Sequence, residues 1–207
     1  MQYLRIGVTG SICSGKSSVV EILKEEKYRD YSLSKEVIAE FESRKLGRTI
    51  TRKDKQDIGD EMRQKLGDDY WAVRTGRIIT RDLWEKGPAN IVIDAIFNPA
   101  EEAYLEKVFG AVIIGVDANP EIRLQRLIKR ARDSEQGLDE AQLRTAIERD
   151  LGIGQPLHGQ QTRACLERAY RVIRNDTGDM RDLRANLTAA RLGLGIEGVR
   201  RNPRENR

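Results

Sequence analysis

Residues 10–17 read GSICSGKS, which matches the phosphate-binding pattern G-x-x-x-x-G-K-[ST]. In such a loop the glycines let backbone N–H groups turn towards phosphates, the lysine supplies a mobile cation, and the hydroxyl can hold Mg²⁺. The pattern therefore predicts binding of a nucleoside triphosphate, ATP or another, together with Mg²⁺. The predicted nucleotide contacts are Gly10, Ser11, Cys13, Ser14, Gly15, Lys16, Ser17 and Ser18.

Asp94 ends the apolar run NIVID at residues 90–94. An acidic side chain at the end of a buried strand, beside a phosphate loop, can position Mg²⁺ directly or through water. We therefore predict Asp94 as a catalytic residue beside Lys16 and, together with Ser17, as a metal ligand. An ordinary strand-end or helix-capping aspartate is the alternative.

Arg123, Arg126 and Arg130 are spaced three and four residues apart, so they share one face of a predicted helix. The segment DSEQG at residues 133–137 follows and is typical of a loop. Arginines that lead into a loop suit a lid over transferring phosphates, because a guanidinium group pairs with two phosphate oxygens. Arg126 and Arg130 are therefore predicted catalytic residues. A solvent-exposed, salt-bridged helix face is the alternative.

Candidate contacts for a phosphoryl acceptor lie in a long helical stretch, residues 34–86. The predicted set is Ser34, Arg44 and Arg63, and further candidates are Ser32, Arg48 and Arg52. Taken singly, each of these residues is more typical of a protein surface than of a ligand site. Asn175 and Gly178 follow the last predicted strand, where a nucleotide base is expected, and a plain turn is the alternative.

Hydrophobic patterning predicts the elements that bring these residues together. Strands are predicted at 3–9, 28–33, 90–95, 111–117 and 170–174, and helices at 16–27, 34–46, 52–66, 68–86, 99–108, 120–131, 139–150, 161–168 and 179–191. This alternation implies an α/β fold with a parallel sheet covered on both faces and sites at the carboxyl ends of its strands. We predict one domain over 1–192, with an acceptor-binding helical insert at 34–86 and a lid region at 130–150. A disordered basic tail is predicted at 193–207.

The composition argues against several classes of protein. The chain has 207 residues, enough for one domain, and contains no apolar run long enough to span a membrane. Its two cysteines show no pairing pattern, which favours a reducing, cytoplasmic setting. The net charge of +4 arises after residue 180, where seven arginines face three acidic residues. A nucleic-acid partner is disfavoured because the rest of the chain is electrically balanced. Homo-oligomerisation is left open.

The ordered series of motifs resembles the P-loop nucleoside and deoxynucleoside monophosphate kinases and the dephospho-coenzyme A kinase-like proteins. It comprises the loop, YSLS at 31–34, IVIDAIFNP at 91–99, RLQRLIKR at 123–130 and VIRN at 172–175. The resemblance implies a three-layer α/β/α core with a five-stranded parallel sheet, a helical acceptor-binding insert and an arginine-containing lid. It also implies that Lys16 belongs to an ATP loop, that Asp94 is the acidic strand end, that Arg126 and Arg130 are lid arginines, and that Asn175 and Gly178 form the base-side turn.

The chain departs from this family on the acceptor side. Lys35 and Ile38 stand where the similar branch carries aspartate and, shortly afterwards, arginine, and Ala95-Ile96-Phe97 replaces Gly-Ile-Arg. The expected function is therefore Mg²⁺-ATP-dependent phosphoryl transfer to a nucleotide-like small molecule, with a (deoxy)nucleoside monophosphate as the favoured acceptor. The alternatives are a nucleotide-binding sensor without efficient transfer and a dephospho-coenzyme A kinase-like activity.

Overall fold

The computed structural model describes residues 3–130 and 139–192. Its centre is a sheet of five parallel strands in the order β2-β3-β1-β4-β5. The strands are β1 (Arg5–Gly10), β2 (Arg29–Ser32), β3 (Ile91–Ile96), β4 (Val112–Asp117) and β5 (Arg171–Arg174). The predicted five-stranded parallel sheet is therefore confirmed. The predicted lid loop at 133–137 and the predicted tail lie outside the described residues.

The helices fall close to the predicted stretches. They are α1 (Lys16–Glu25), α2 (Leu33–Ser43), α3 (Arg52–Leu66), α4 (Tyr70–Lys86), α5 (Pro99–Phe109), α6 (Pro120–Lys129), α7 (Glu140–Leu151), α8 (Thr162–Arg168) and α9 (Met180–Leu192). Local signals explain several boundaries. Asn98 and Asn119 accept hydrogen bonds from the first turns of α5 and α6, and each precedes a proline at the first helical position.

One predicted helix end is wrong. Helix α2 was expected to continue to residue 46, but it ends at Ser43. Lys45 adopts a φ of 50°, in the left-handed region, so the backbone has left the helical conformation before Gly47 is reached.

Two hydrophobic clusters cover the two faces of the sheet. On one face, α2, α3, α4 and α5 pack around Trp71, Ile79 and Leu105. On the other face, α1 and α9 pack through residues such as Leu23 and Leu183. Because both faces are covered, the central strands are apolar nearly throughout, as in parallel sheets generally. Each fully buried aliphatic side chain contributes about 1.5–3 kcal/mol to this arrangement.

A third, smaller cluster lies beside the first loop of the chain. Ile12 packs there against Leu124 and Leu127 of α6 and against Leu143 and Ile147 of α7. The two helices on either side of residues 131–138 are thus held against the loop that follows β1. No helix among residues 3–130 and 139–192 is long and apolar enough to cross a bilayer.

Strand β3 carries a bulge near its carboxyl end. Gly7 of β1 pairs with Ile93 and Thr9 pairs with Ile96, so two residues of β3 lie opposite Val8. Ala95, inside this bulge, has a φ of 60°. A bulge bends its strand and changes the direction of the side chains that follow. It lies at the edge of the sheet where the parallel strands end.

Candidate phosphate-binding site

Two glycines fix the shape of the loop between β1 and α1. Gly10 has a φ of 150° and Gly15 a φ of 106°. A Cβ atom on Gly10 would lie 2.1 Å from the Val116 carbonyl oxygen, and one on Gly15 would lie 2.1 Å from the Asn175 side-chain nitrogen. Both contacts are far below van der Waals distance, so the sequence pattern has a steric reason at each glycine.

Lys16, the first residue of α1, is half-buried at the centre of this loop. Its Nζ donates to the carbonyl oxygens of Gly10 and Ser11, the latter at 2.9 Å. The same atom lies 5.6 Å from the centre of the Phe97 ring, within cation–π range. An ammonium group has three N–H donors, so two are directed by the loop and one remains for a ligand.

The charges around Lys16 act in opposite directions. Burial lowers the pKa of the Lys16 ammonium, and the carboxylates of Asp150 and Asp94 oppose this shift. Burial also raises the pKa of Asp94, against a hydrogen bond from Ser32 and the positive charge of Lys16. Ser32 and Asp94 are register partners in β2 and β3, which explains why they meet at this edge of the sheet.

Asp150 is a site residue that the sequence analysis missed. It is 2% exposed, and its Oδ2 accepts hydrogen bonds from Ser11 Oγ at 2.9 Å and from the Ile12 backbone N–H at 3.1 Å. Burial raises the pKa of this carboxyl. No local signal identifies Asp150, because it is one acidic residue on a charged helix and its partners lie almost 140 positions earlier in the chain.

The two predicted lid arginines contact the phosphate loop. Arg126 donates to the carbonyl oxygen of Asn175 at 2.8 Å and to that of Cys13 at 3.3 Å. Arg130 donates to the Cys13 sulfur at 3.3 Å. Arg126 thereby ties α6 to the loop and to the turn after β5.

Asn175 closes the loop from the other side. Its side-chain N–H donates to the Ser14 carbonyl at 2.8 Å, and the residue is 7% exposed. Gly178 lies in the same turn, and a Cβ atom there would lie 3.2 Å from an Arg126 nitrogen. The base-side turn predicted from the sequence is therefore packed directly on the phosphate loop.

Most of the predicted residues line a single cavity of about 680 Å³. Those on its wall are Cys13, Gly15, Lys16, Ser17, Ser18, Ser34, Asp94, Arg126, Arg130, Asn175 and Gly178. Those that are not on the wall are Gly10, Ser11, Ser14, Arg44 and Arg63. Gly10, Ser11 and Ser14 belong to the loop, but the two serine side chains are fully buried.

The predicted acceptor arginines are instead engaged in ion pairs. Arg44 pairs with Glu61 at 2.8 Å and with Glu40 at 3.5 Å. Arg63 is 3% exposed and pairs with Glu101 at 2.8 Å. Neither residue lines the cavity, and carboxylates already hold both guanidinium groups.

Other cations line the same cavity. Lys35, Arg52 and Lys55 line it, together with the buried amides Gln56 and Gln160, which are joined by a 2.8 Å hydrogen bond. Ser34 and the apolar residue Ile38 also line the cavity. Arg52 was a further candidate in the sequence, whereas Lys55 and the two glutamines were missed.

Ser17 and Asp94 fit the preference of Mg²⁺ for oxygen ligands, since a hydroxyl and a carboxylate oxygen both reach the same cavity. Among the described residues no group of three or more His, Cys, Asp or Glu side chains could form a metal cage. This donor set matches an ion that is held by few protein ligands and completed by water and phosphate oxygens.

Comparisons with known proteins agree with this architecture. A family model described as an AAA domain matches residues 6–145. A UPF0200 protein of Methanocaldococcus jannaschii is 30% identical over 148 residues, which cover 72% of this chain and 71% of the relative. A UPF0200 protein of Methanothrix thermoacetophila is 31% identical over 165 residues, which cover 77% and 86%.

Solved structures show the same fold. TT1252 from Thermus thermophilus superimposes with a TM-score of 0.60 at 23% identity, covering 94% of this chain and 99% of that one. Shikimate kinase from Bacteroides thetaiotaomicron gives a TM-score of 0.55 at 16% identity, covering 92% and 98%. At such identities the likeness concerns the fold alone. The chain therefore belongs to the AAA-domain family and to the UPF0200 proteins, and its fold is that of the P-loop kinases.

Proposed function

We propose that the protein is a Mg²⁺-ATP-dependent phosphotransferase acting on a nucleotide-like small molecule, most simply a (deoxy)nucleoside monophosphate. The observation that carries the proposal is one cavity that contains several cationic side chains besides the loop lysine, together with a carboxylate. Lys16, Lys35, Arg52 and Lys55 line this cavity, and so does Asp94. A donor and an acceptor that both bear phosphates need such a site, because phosphoryl transfer depends mainly on positioning and charge neutralisation.

The residues in and around the phosphate loop would each contribute to binding the phosphates. Lys16, directed by two carbonyl oxygens, would place its remaining N–H on the outer phosphates. Arg126 and Arg130 would supply positive charge at the entrance of the loop, and Asn175 would keep the loop closed. Mg²⁺, held through Ser17 and Asp94, would neutralise negative charge on the phosphate oxygens.

Asp94 has a second role open to it. A carboxyl whose pKa is raised by burial is a better proton acceptor near neutral pH than a solvated one. Asp94 would orient the acceptor hydroxyl or phosphate against the donor and accept a proton where a hydroxyl is the nucleophile. The buried amides Gln56 and Gln160 would provide neutral hydrogen bonds to the acceptor.

A nucleotide sensor without efficient transfer is the second candidate. It is favoured by the engagement of Arg44 and Arg63 in ion pairs, which leaves the acceptor side with two lysines and one arginine on its wall. Lysine is a point charge and lacks the planar fork with which arginine holds a phosphate in one orientation. Such a wall can attract an anion without orienting it for reaction.

The test measures ADP release with Mg²⁺-ATP over a panel of ribo- and deoxynucleoside monophosphates and dephospho-coenzyme A. Acceptor-stimulated turnover by one of them supports the transferase, whereas tight ATP binding with no stimulation supports the sensor. Replacement of Lys16 by methionine should reduce turnover at least about 100-fold, as removal of a preorganised donor does elsewhere. Circular dichroism should be unchanged, because the replacement removes side-chain contacts of Lys16 and no backbone hydrogen bond of a helix or strand.

Lys24→Met provides the matched control. Lys24 lies on the same helix, is exposed and pairs with Glu21 at 2.9 Å. Its replacement removes the same charge without touching the cavity, so turnover should stay near wild type. Retention of wild-type turnover in the Lys16 variant would contradict the proposed function.

A further inference from the structure

Helices α6 and α7, which flank residues 131–138, both form hydrogen bonds with the phosphate loop. Ser11 and Ile12 of the loop hydrogen-bond to Asp150 of α7 through the hydroxyl and the backbone N–H, respectively. Ser11 is fully buried and Asp150 is 2% exposed. Hydrogen bonds to a buried carboxylate are among the stronger ones in proteins, so this contact constrains the loop.

A buried arginine completes the contact from α6. Arg123 is 3% exposed; its Nη1 donates to Ser11 Oγ, and its Nε donates to the Ala118 carbonyl at 3.1 Å. The Ser11 hydroxyl accepts from Arg123 and donates to Asp150. A positive and a negative side chain, both shielded from water, are thus connected through one loop hydroxyl.

The position of Asp150 is itself fixed by its neighbour in the chain. Arg149 pairs with Asp57 and Asp60 of α3, both at 2.7 Å. Helix α3 also supplies Arg52 and Lys55 to the cavity wall. Helix α7 is therefore bound to α3 through Arg149 and to the phosphate loop through Asp150.

We propose that Asp150 is a positioning residue for the phosphate loop, holding Ser11 and Ile12 so that the Ser11 carbonyl directs the Lys16 ammonium. Asp150 acts on Lys16 through Ser11, whose carbonyl oxygen accepts from Lys16 Nζ at 2.9 Å, and its carboxylate also attracts the Lys16 ammonium directly. The inference rests on the proposed function for its effect on nucleotide binding. The contact itself belongs to the free protein, so it can be tested with and without nucleotide.

The experiment compares Asp150→Ala and Asp150→Asn with the wild type. Amide hydrogen exchange over residues 10–17 reports the order of the free loop, and calorimetry with a non-hydrolysable Mg²⁺-ATP analogue reports affinity. We expect Asp150→Ala to accelerate amide exchange in the loop and to weaken binding of the ATP analogue about tenfold or more, because the loop loses charge-assisted hydrogen bonds. Asp150→Asn retains an acceptor oxygen, so both effects should be smaller in this variant than in Asp150→Ala. Its affinity for the analogue should be about threefold below that of the wild type.

Glu148→Gln serves as the control, since Glu148 is an exposed acidic residue on the same helix. It should match the wild type in exchange and affinity. If Asp150→Ala does not fold, the intermediate behaviour of Asp150→Asn decides. Unchanged loop exchange in the folded Asp150 variants would overturn the positioning role. Absence of analogue binding by the wild type would instead overturn the proposed function, and the exchange measurements would still decide the role of Asp150.

Discussion

Glu102, on the first turn of α5, should make the stability of the fold depend on pH. The residue is 1% exposed, and its carboxyl lies 3.3 Å from Arg168 of α8. Burial raises the pKa of Glu102 from 4.5 to about 8. Arg168 opposes this shift, and burial prevails because the Arg168 side chain is 33% exposed, partly hydrated and shared with Glu106.

The sign and size of the effect follow from proton linkage. The folded protein binds the Glu102 proton more tightly than the unfolded chain, so this contribution is complete below pH 4.5 and is lost as pH rises through about 8. At about 1.4 kcal/mol for each pKa unit, the loss amounts to about 5 kcal/mol. This is comparable to the whole free energy of unfolding of many domains, about 5–15 kcal/mol.

The assay is urea unfolding of wild type and Glu102→Gln at intervals from pH 5 to pH 9. Glutamine keeps the size of a neutral carboxyl and cannot ionise. We therefore expect its stability relative to wild type to increase by several kcal/mol across this range. Glu106→Gln, which removes the more exposed partner of Arg168, should leave most of the wild-type pH dependence in place. Parallel curves for wild type and Glu102→Gln would refute the reasoning.

Two further substitutions test the assignment of cations in and around the cavity. Arg52→Met should raise the KM for the acceptor about tenfold with little change in the KM for ATP, because it removes a charged donor that we assign to the acceptor. Lys53→Met, at an exposed position of α3, should change neither constant. An equal rise in both constants would argue against an acceptor role for Arg52. Arg63→Met should lower the free energy of unfolding by about 3–5 kcal/mol in urea, since the buried Glu101 carboxylate loses its ion pair and keeps only backbone hydrogen bonds from Phe97 and Asn98. Arg48→Met, which breaks the exposed ion pair with Asp54, should lower the free energy of unfolding by about 1 kcal/mol or less. Similar losses of stability in the Arg63 and Arg48 variants would contradict the difference expected between a buried and an exposed ion pair.

The phosphate loop and most helix boundaries could be predicted because their causes are local. Gly10 and Gly15 are required by contacts that any bulkier residue would violate, and the pattern around them is short. Asn98 and Asn119 cap helices through bonds to residues two positions later. Apolar runs indicated the three central strands, β1, β3 and β4, since the buried part of the sheet leaves few polar positions in them.

The acceptor side could not be predicted in the same way. The sequence pattern around an arginine in a helix is the same whether the arginine lines a cavity or pairs with a carboxylate. Arg63 meets Glu101 38 positions away, and Asp150 meets Ser11 139 positions away. Such pairings are set by how helices pack, which the periodicity of one helix does not specify. The end of α2 was misplaced because Gly47 gave a strong local stop signal, although the backbone turns earlier at Lys45.

The bulge in β3 has a consequence for which residues can stand at its centre. Ala95 holds a left-handed backbone inside the bulge, one residue beyond the last pair with β2, and valine, isoleucine and threonine are strongly disfavoured there by their branched Cβ atoms. These are the side chains that elsewhere make the best strands. The usual ranking of strand-forming residues is therefore inverted at this position. The residue next to Asp94 must be small, although a small side chain contributes little packing to the sheet.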